Sequence, residues 1–127
     1  MKKYPIFILL LLLPLIHLYA GEVDVLQVQV TLVEEGTYRF DVTLSHNDEG
    51  WKHYANKWDV VGPDGIVLGT RVLYHPHVNE QPFTRSLSGL KIPNHVQTVN
   101  LRAHDSIHGY GGQVITVKLS EQKRTTP

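Results

Sequence analysis

The chain is predicted to be all-β and built of antiparallel strands, on three observations. From Gly21 onward apolar residues recur with period two, the runs are short and punctuated by Gly, Pro, Asn and Asp, and no stretch sustains a helical period. The first strand is read over Glu22 to Val33. Val28, Val30 and Leu32 share one face there, while Val23 and Val25 lie in the opposite phase, so a bulge or kink is expected near Leu26. Glu34, Glu35 and Gly36 turn the chain. The second strand is the cleanest, with Tyr38, Phe40, Val42 and Leu44 inward and Arg39, Asp41, Thr43 and Ser45 outward.

A polar loop, Asn47 to Asn56, leads to a third strand at Lys57 to Val61 with Trp58 and Val60 inward. Gly62, Pro63, Asp64 and Gly65 favour a tight reversal into a fourth strand, Ile66 to Tyr74. Pro76 to Pro82 reads as loop and Phe83 to Leu87 as a fifth strand. Ser88 to His95 reads as a connection broken by Gly89 and Pro93. The sixth strand is Gln97 to His104, with Val99, Leu101 and Ala103 or their opposite-face neighbours inward. Gly109 to Gly112, whose glycines are expected to supply positive φ angles, leads into the seventh strand, Gln113 to Leu119. Seven short strands in a chain of this size fit an immunoglobulin-like or fibronectin-III-like antiparallel sandwich, with a small closed barrel as the alternative. The domain is expected over residues 21–120, with a disordered tail at 121–127.

Residues 1–20, MKKYPIFILLLLLPLIHLYA, read as a cleavable signal peptide. They carry a basic start at Lys2 and Lys3, an apolar run from Ile6 to Ile16, and small Ala20 at the cut. The run is short for a membrane span, contains Pro14, and is followed by Glu22 and Asp24 rather than basic residues. The processed chain is therefore expected to be periplasmic or secreted, without a stable membrane anchor. Absent cysteine excludes disulfides, thiolate metal sites and cysteine nucleophiles, and the sole Met, Met1, leaves with the signal. Charge is balanced at 12 Lys plus Arg against 12 Asp plus Glu, which is no nucleic-acid footprint.

Histidine is the unusual residue: eight are present, and only His17 falls in the signal. Alternate loops of a sandwich lie at the same end, so the loops after the second, fourth and sixth strands should share a pole. That places His46, His53, His75, His77, His104 and His108 together, with Asp48, Glu49, Trp51, Tyr54, Glu80, Arg85, Asp105 and Tyr110 around them. His75 and His77, at i and i+2, put two imidazoles on one side of an extended chain, and His104 to His108 can bring a second pair across a turn. These six histidines are the candidate ligands for Zn²⁺ or Cu²⁺, since imidazole suits both and the set lacks the oxygen cage that Ca²⁺ prefers. Trp51, Tyr54 and Tyr110 are candidates for a partner-binding rim, and Arg85 opposite Glu80 reads as a pair bracing the loop.

The segments HPHVNEQPFTRSLSGLKIP (His75 to Pro93) and RAHDSIHGYGG (Arg102 to Gly112), with WKHYANKWDVVGPDG (Trp51 to Gly65), resemble a family of small exported bacterial proteins. The resemblance implies an exported all-β domain and brings no established activity or catalytic residue. No G-x-S-x-G elbow, H-E-x-x-H or P-loop is present, and His104, Asp105 and Ser106 are adjacent and so cannot face one another as a triad. The expected function is a periplasmic binding module with a metal-holding histidine pole. The alternatives are a metal-free domain that docks a periplasmic protein through the same pole, and a small metal-dependent enzyme.

Overall fold

The computed structural model describes residues 21–122; the predicted signal at 1–20 and residues 123–127 of the predicted tail lie outside the described residues. Seven strands, β1 (Asp24–Glu34), β2 (Thr37–Ser45), β3 (Ala55–Val61), β4 (Val67–Val72), β5 (Phe83–Lys91), β6 (Thr98–Asp105) and β7 (Ile115–Lys118), precede a one-turn helix α1 (Leu119–Gln122). They form two antiparallel sheets, β1-β2-β5 and β4-β3-β6-β7. This is the expected sandwich, with two open sheets rather than a closed barrel. Among the described residues no helix is long and apolar enough to cross a membrane.

The inward faces follow the sequence alternation. Tyr38, Phe40, Val42 and Leu44 of β2 are buried, and they meet Trp58 and Val60 of β3 and Val99, Leu101 and Ala103 of β6. Each such side chain contributes roughly 1.5–3 kcal/mol of transfer free energy on burial. In β1 the pairing register slips between Val25 and Gln27, so exposed Leu26 is the extra residue. That bulge lets Val23 and Val25 stay buried before it while Val30 is buried beyond it.

Boundaries differ from expectation: α1 takes in Leu119, read as the end of the last strand, and residues 121 and 122 of the expected tail, and β5 runs on past Leu87. Gly89 does not end β5; it takes φ 69° inside the strand, where the register against β2 shifts between Tyr38 and Phe40. The glycine is a bulge residue, and pairing resumes at Leu90 and Lys91. Gly111 and Gly112 also differ, since neither has positive φ. They instead make room for the start of the domain: a Cβ on Gly112 would stand 1.8 Å from the Val23 carbonyl oxygen, and one on Gly111 2.4 Å from the Glu22 carboxylate.

Candidate metal centre

The loops after β2, β4 and β6 meet at one pole. The buried column Phe40, Val42, Leu44 on β2 continues past the strand end to His46, and the column Val99, Leu101, Ala103 on β6 ends in Asp105. Two opposed apolar columns thus terminate in a polar pair, both side chains fully buried, with His46 Nε2 against Asp105 Oδ2.

Each member is held from outside the cluster. Asp48 accepts from His46 Nδ1, from the Ala55 amide at 3.0 Å and from the His77 amide at 2.7 Å, tying two loops to the His46 ring. Asp105 Oδ1 accepts the Ile107 and His108 amides at 2.6 and 2.7 Å, which shapes the turn after β6 and leaves Oδ2 for the cluster. His53 Nε2 reaches that same Oδ2 at 2.6 Å, and its Nδ1 faces Glu49 at 3.5 Å. His108 Nδ1 lies 3.3 Å from Asp105 Oδ1. The His53 ring stands 5.0 Å, centroid to centroid, from both His46 and His108. In the middle sits the Gly21 carbonyl oxygen, 2.9 Å from His46 Nε2, 3.2 Å from His53 Nε2 and 3.1 Å from His108 Nδ1.

The donor inventory of this cluster does not close with neutral rings. With Nδ1 of His46 donating to Asp48, a neutral His46 presents a lone pair at Nε2, and what that nitrogen faces is a carboxylate oxygen and a carbonyl oxygen. Acceptors converging on acceptors require a cation among them, supplied either by extra protons or by a metal. Electrostatics leans the same way: burial pulls the His53 pKa down, but the Gly21 carbonyl and the Asp105 and Glu49 carboxylates outweigh it and leave it raised. Burial pushes Asp105 up, yet the His108 and Ile107 amides and the charges of His46 and His53 hold it below the usual carboxylate range. Ligand atoms of His46, His53 and Asp105 all lie within 4.8 Å of one another, near enough for one ion to take them together after small side-chain shifts. Asp48 and Glu49 stand behind the His46 and His53 rings, the arrangement by which carboxylates orient metal-ligating histidines.

The structure separates the other predicted ligands from this cluster. His75 and His77 do lie together, with ring centroids 4.8 Å apart, but His77 stacks on Phe83 at 4.1 Å and an Arg85 guanidinium nitrogen stands 3.3 Å from its Nδ1. Burial, Arg85 and His75 lower the His77 pKa, so this group surrounds a resident cation. Arg85 also pairs with Glu80 at 3.3 Å, the brace expected of them. His104 points the other way from Asp105 because successive residues of β6 alternate faces. Its Nδ1 meets Asn56 Oδ1 at 2.6 Å and its ring sits edge-on to Tyr110 at 4.8 Å.

Tyr110 likewise leaves the pole. It folds back over the outer face of the four-stranded sheet, where its hydroxyl donates to Asp59 and Arg102 covers its ring at 4.0 Å. Trp51 stays at the pole, 67% exposed, with Tyr54 edge-on at 5.8 Å and exposed Ile107 on the next loop. Sequence reasoning passed over Gly21, whose contribution is a backbone oxygen that residue type does not reveal. Asp48, which loop parity places at this pole, turns out to back the His46 ring across an i, i+2 spacing.

No family model matches the chain. A protein described as "Putative lipoprotein" from Halomicrobium mukohataei is 44% identical over 92 residues, covering 71% of this chain and 45% of its own length. The chain therefore spans less than half of that relative. A solved superoxide reductase (1Fe-SOR) from Giardia intestinalis aligns with TM-score 0.45 and 12% identity, over 75% of this chain and 98% of that one. A likeness that loose carries no argument about this chain.

Proposed function

We propose that this chain is an exported binding module that holds one transition-metal ion, Zn²⁺ or Cu²⁺, through His46 Nε2, His53 Nε2 and Asp105 Oδ2, with His108 Nδ1 as the fourth ligand. The observation that carries the reading is the convergence of His46 Nε2, His53 Nε2, His108 Nδ1 and the Asp105 carboxylate on one point, with the His46 and His53 rings backed by Asp48 and Glu49 and with His46 Nε2, once Nδ1 donates to Asp48, left facing two acceptors. Nitrogen and oxygen ligands without sulfur suit both ions. The leader-like residues 1–20 and the relative described as a lipoprotein support export to the periplasm or beyond. His108 is 41% exposed while His46 and Asp105 are enclosed, so the ion would enter and leave past His108.

Metal analysis and Zn²⁺ or Cu²⁺ titration of the exported chain test this. Near-stoichiometric metal is expected in the wild type, a loss of at least about tenfold in affinity in His53→Ala and in His108→Ala, and unchanged binding in a His75→Ala, His77→Ala variant. A wild type that takes up neither ion, or His53→Ala and His108→Ala variants that bind as well as it does, would overturn the reading.

A second reading rests on Trp51. A tryptophan this exposed, beside Tyr54 and at the same pole as exposed Ile107, is the composition of a protein-docking rim, and a periplasmic protein would be the partner. Trp51→Ala should then abolish capture of that partner and leave metal binding intact.

A further inference from the structure

We propose that Gly21 is itself a ligand of the centre, and that removal of the leader at the Ala20–Gly21 bond completes the site by converting the Gly21 nitrogen from an amide to a free amine. The inference rests on the metal-centre reading above and deepens it, because it couples metal loading to export processing.

Three observations lead to it. The first is position: the Gly21 carbonyl oxygen lies within 3.2 Å of ring nitrogens of His46, His53 and His108, the spacing that ligand atoms about 2 Å from one ion keep from one another. The second is that the segment is built into the pole. Gly21 and Val23 are buried, the Val25 amide donates to the Gln113 carbonyl at 2.9 Å, and the Gln113 amide donates to Asp24 at 2.8 Å. Gly111 and Gly112 have no side chain where Glu22 and Val23 pass, and Gly21 itself, at φ 140°, has none where a Cβ would stand 2.4 Å from the His108 ring. Gly21 and Gly112 are thus accounted for by bringing this segment's backbone to the histidines. The third is sequence: the expected signal peptide ends at Ala20, immediately before the residue whose backbone enters the cluster.

The chemistry gives the coupling. An α-amine and the carbonyl oxygen of its own residue are separated by two carbons, so a metal bound to both closes a five-membered ring. Before cleavage the same nitrogen belongs to a peptide bond, whose lone pair is delocalised into the carbonyl and is not offered to Zn²⁺. Only the processed chain has the complete donor set, so the ion would be taken up tightly after the leader is gone.

The full chain, expressed with its own leader and isolated after export, tests this with Zn²⁺ as the probe. Intact mass should show an N-terminus at Gly21, and that form should bind Zn²⁺ at least about tenfold more tightly than an exported variant with one alanine inserted ahead of Gly21. The inserted alanine keeps the Gly21 carbonyl and returns its nitrogen to an amide. Equal affinity in the two forms, or a cut at another bond, overturns the role of the amine while leaving the histidine centre standing. Absence of Zn²⁺ binding in both forms, with the β-sheet circular dichroism intact, overturns the centre itself and this inference with it.

Discussion

Asp48 accepts three hydrogen bonds while fully buried, two of them from loop amides and one from the His46 ring. Replacing it by Asn leaves an amide N–H₂ facing the His77 N–H and removes the charge behind His46. Asp48→Asn should therefore cost about 1–3 kcal/mol in urea unfolding and weaken metal binding by roughly 10–100-fold in titration. Asp59 makes the parallel case on the sheet's outer face, with Thr70 at 2.6 Å, Arg102 at 3.2 Å and the Tyr110 hydroxyl around it. Burial pushes its carboxyl up, but the Thr70 and Tyr110 hydroxyls and the Arg102 guanidinium outweigh that and hold it below its ordinary value. A folded pKa below the unfolded one means the contribution is fully present above about pH 4 and is lost as pH falls through the lowered folded value. Acid unfolding of Asp59→Asn should accordingly lack the part of the wild-type pH dependence in that window, as followed by thermal melts between pH 2 and pH 6.

At the scale of elements, the close passage of Val23 past Gly112 is the sharpest constraint. Since a Cβ there would stand 1.8 Å from a backbone oxygen, Gly112→Ala must displace the strand entry, and it should destabilise by about 3 kcal/mol or more and loosen the metal centre with it. Chemical denaturation and metal titration on one sample check both effects. The strands themselves were legible in the sequence because period-two alternation is a local signal. The β2 face, the Leu26 bulge and the parity that gathers the loops at one pole all follow from it. Gly89 points to a strand end in the sequence because a glycine that breaks a strand and one that bulges it look alike until the partner strand is known. At the site, the same alternation that identified β6 also separates His104 from Asp105, and it could have excluded His104 and predicted the His46 and Asp105 columns. What sequence could not show is which imidazole nitrogen is already taken, as Arg85 takes that of His77, or where a backbone carbonyl such as Gly21 ends up.

Across the whole molecule, the proposed ligands come from residues 21, 46, 53, 105 and 108, which the fold alone brings together. An unfolded chain offers no such site, so an ion held there would bind the native state almost exclusively. At a free Zn²⁺ concentration about 100 times the dissociation constant, linkage adds about 2.7 kcal/mol, enough to raise Tm by roughly 10–20 °C in a domain near 100 residues. Differential scanning calorimetry with and without a chelator measures it, and an unchanged Tm at saturating metal would count against a native-state site. The ending of two opposed apolar columns in His46 and Asp105 also has a consequence for motion. The two sheets are clasped at that end by charge and at the rest of the interface by hydrocarbon, so a metal-free sandwich should part first at the histidine end, like a book opened from its fore-edge. Amide deuterium uptake would then run as a gradient, fastest at residues 46–56 and 105–110 and slowest toward the middle of β2 and β6, and binding of the ion would flatten that gradient from the pole inward.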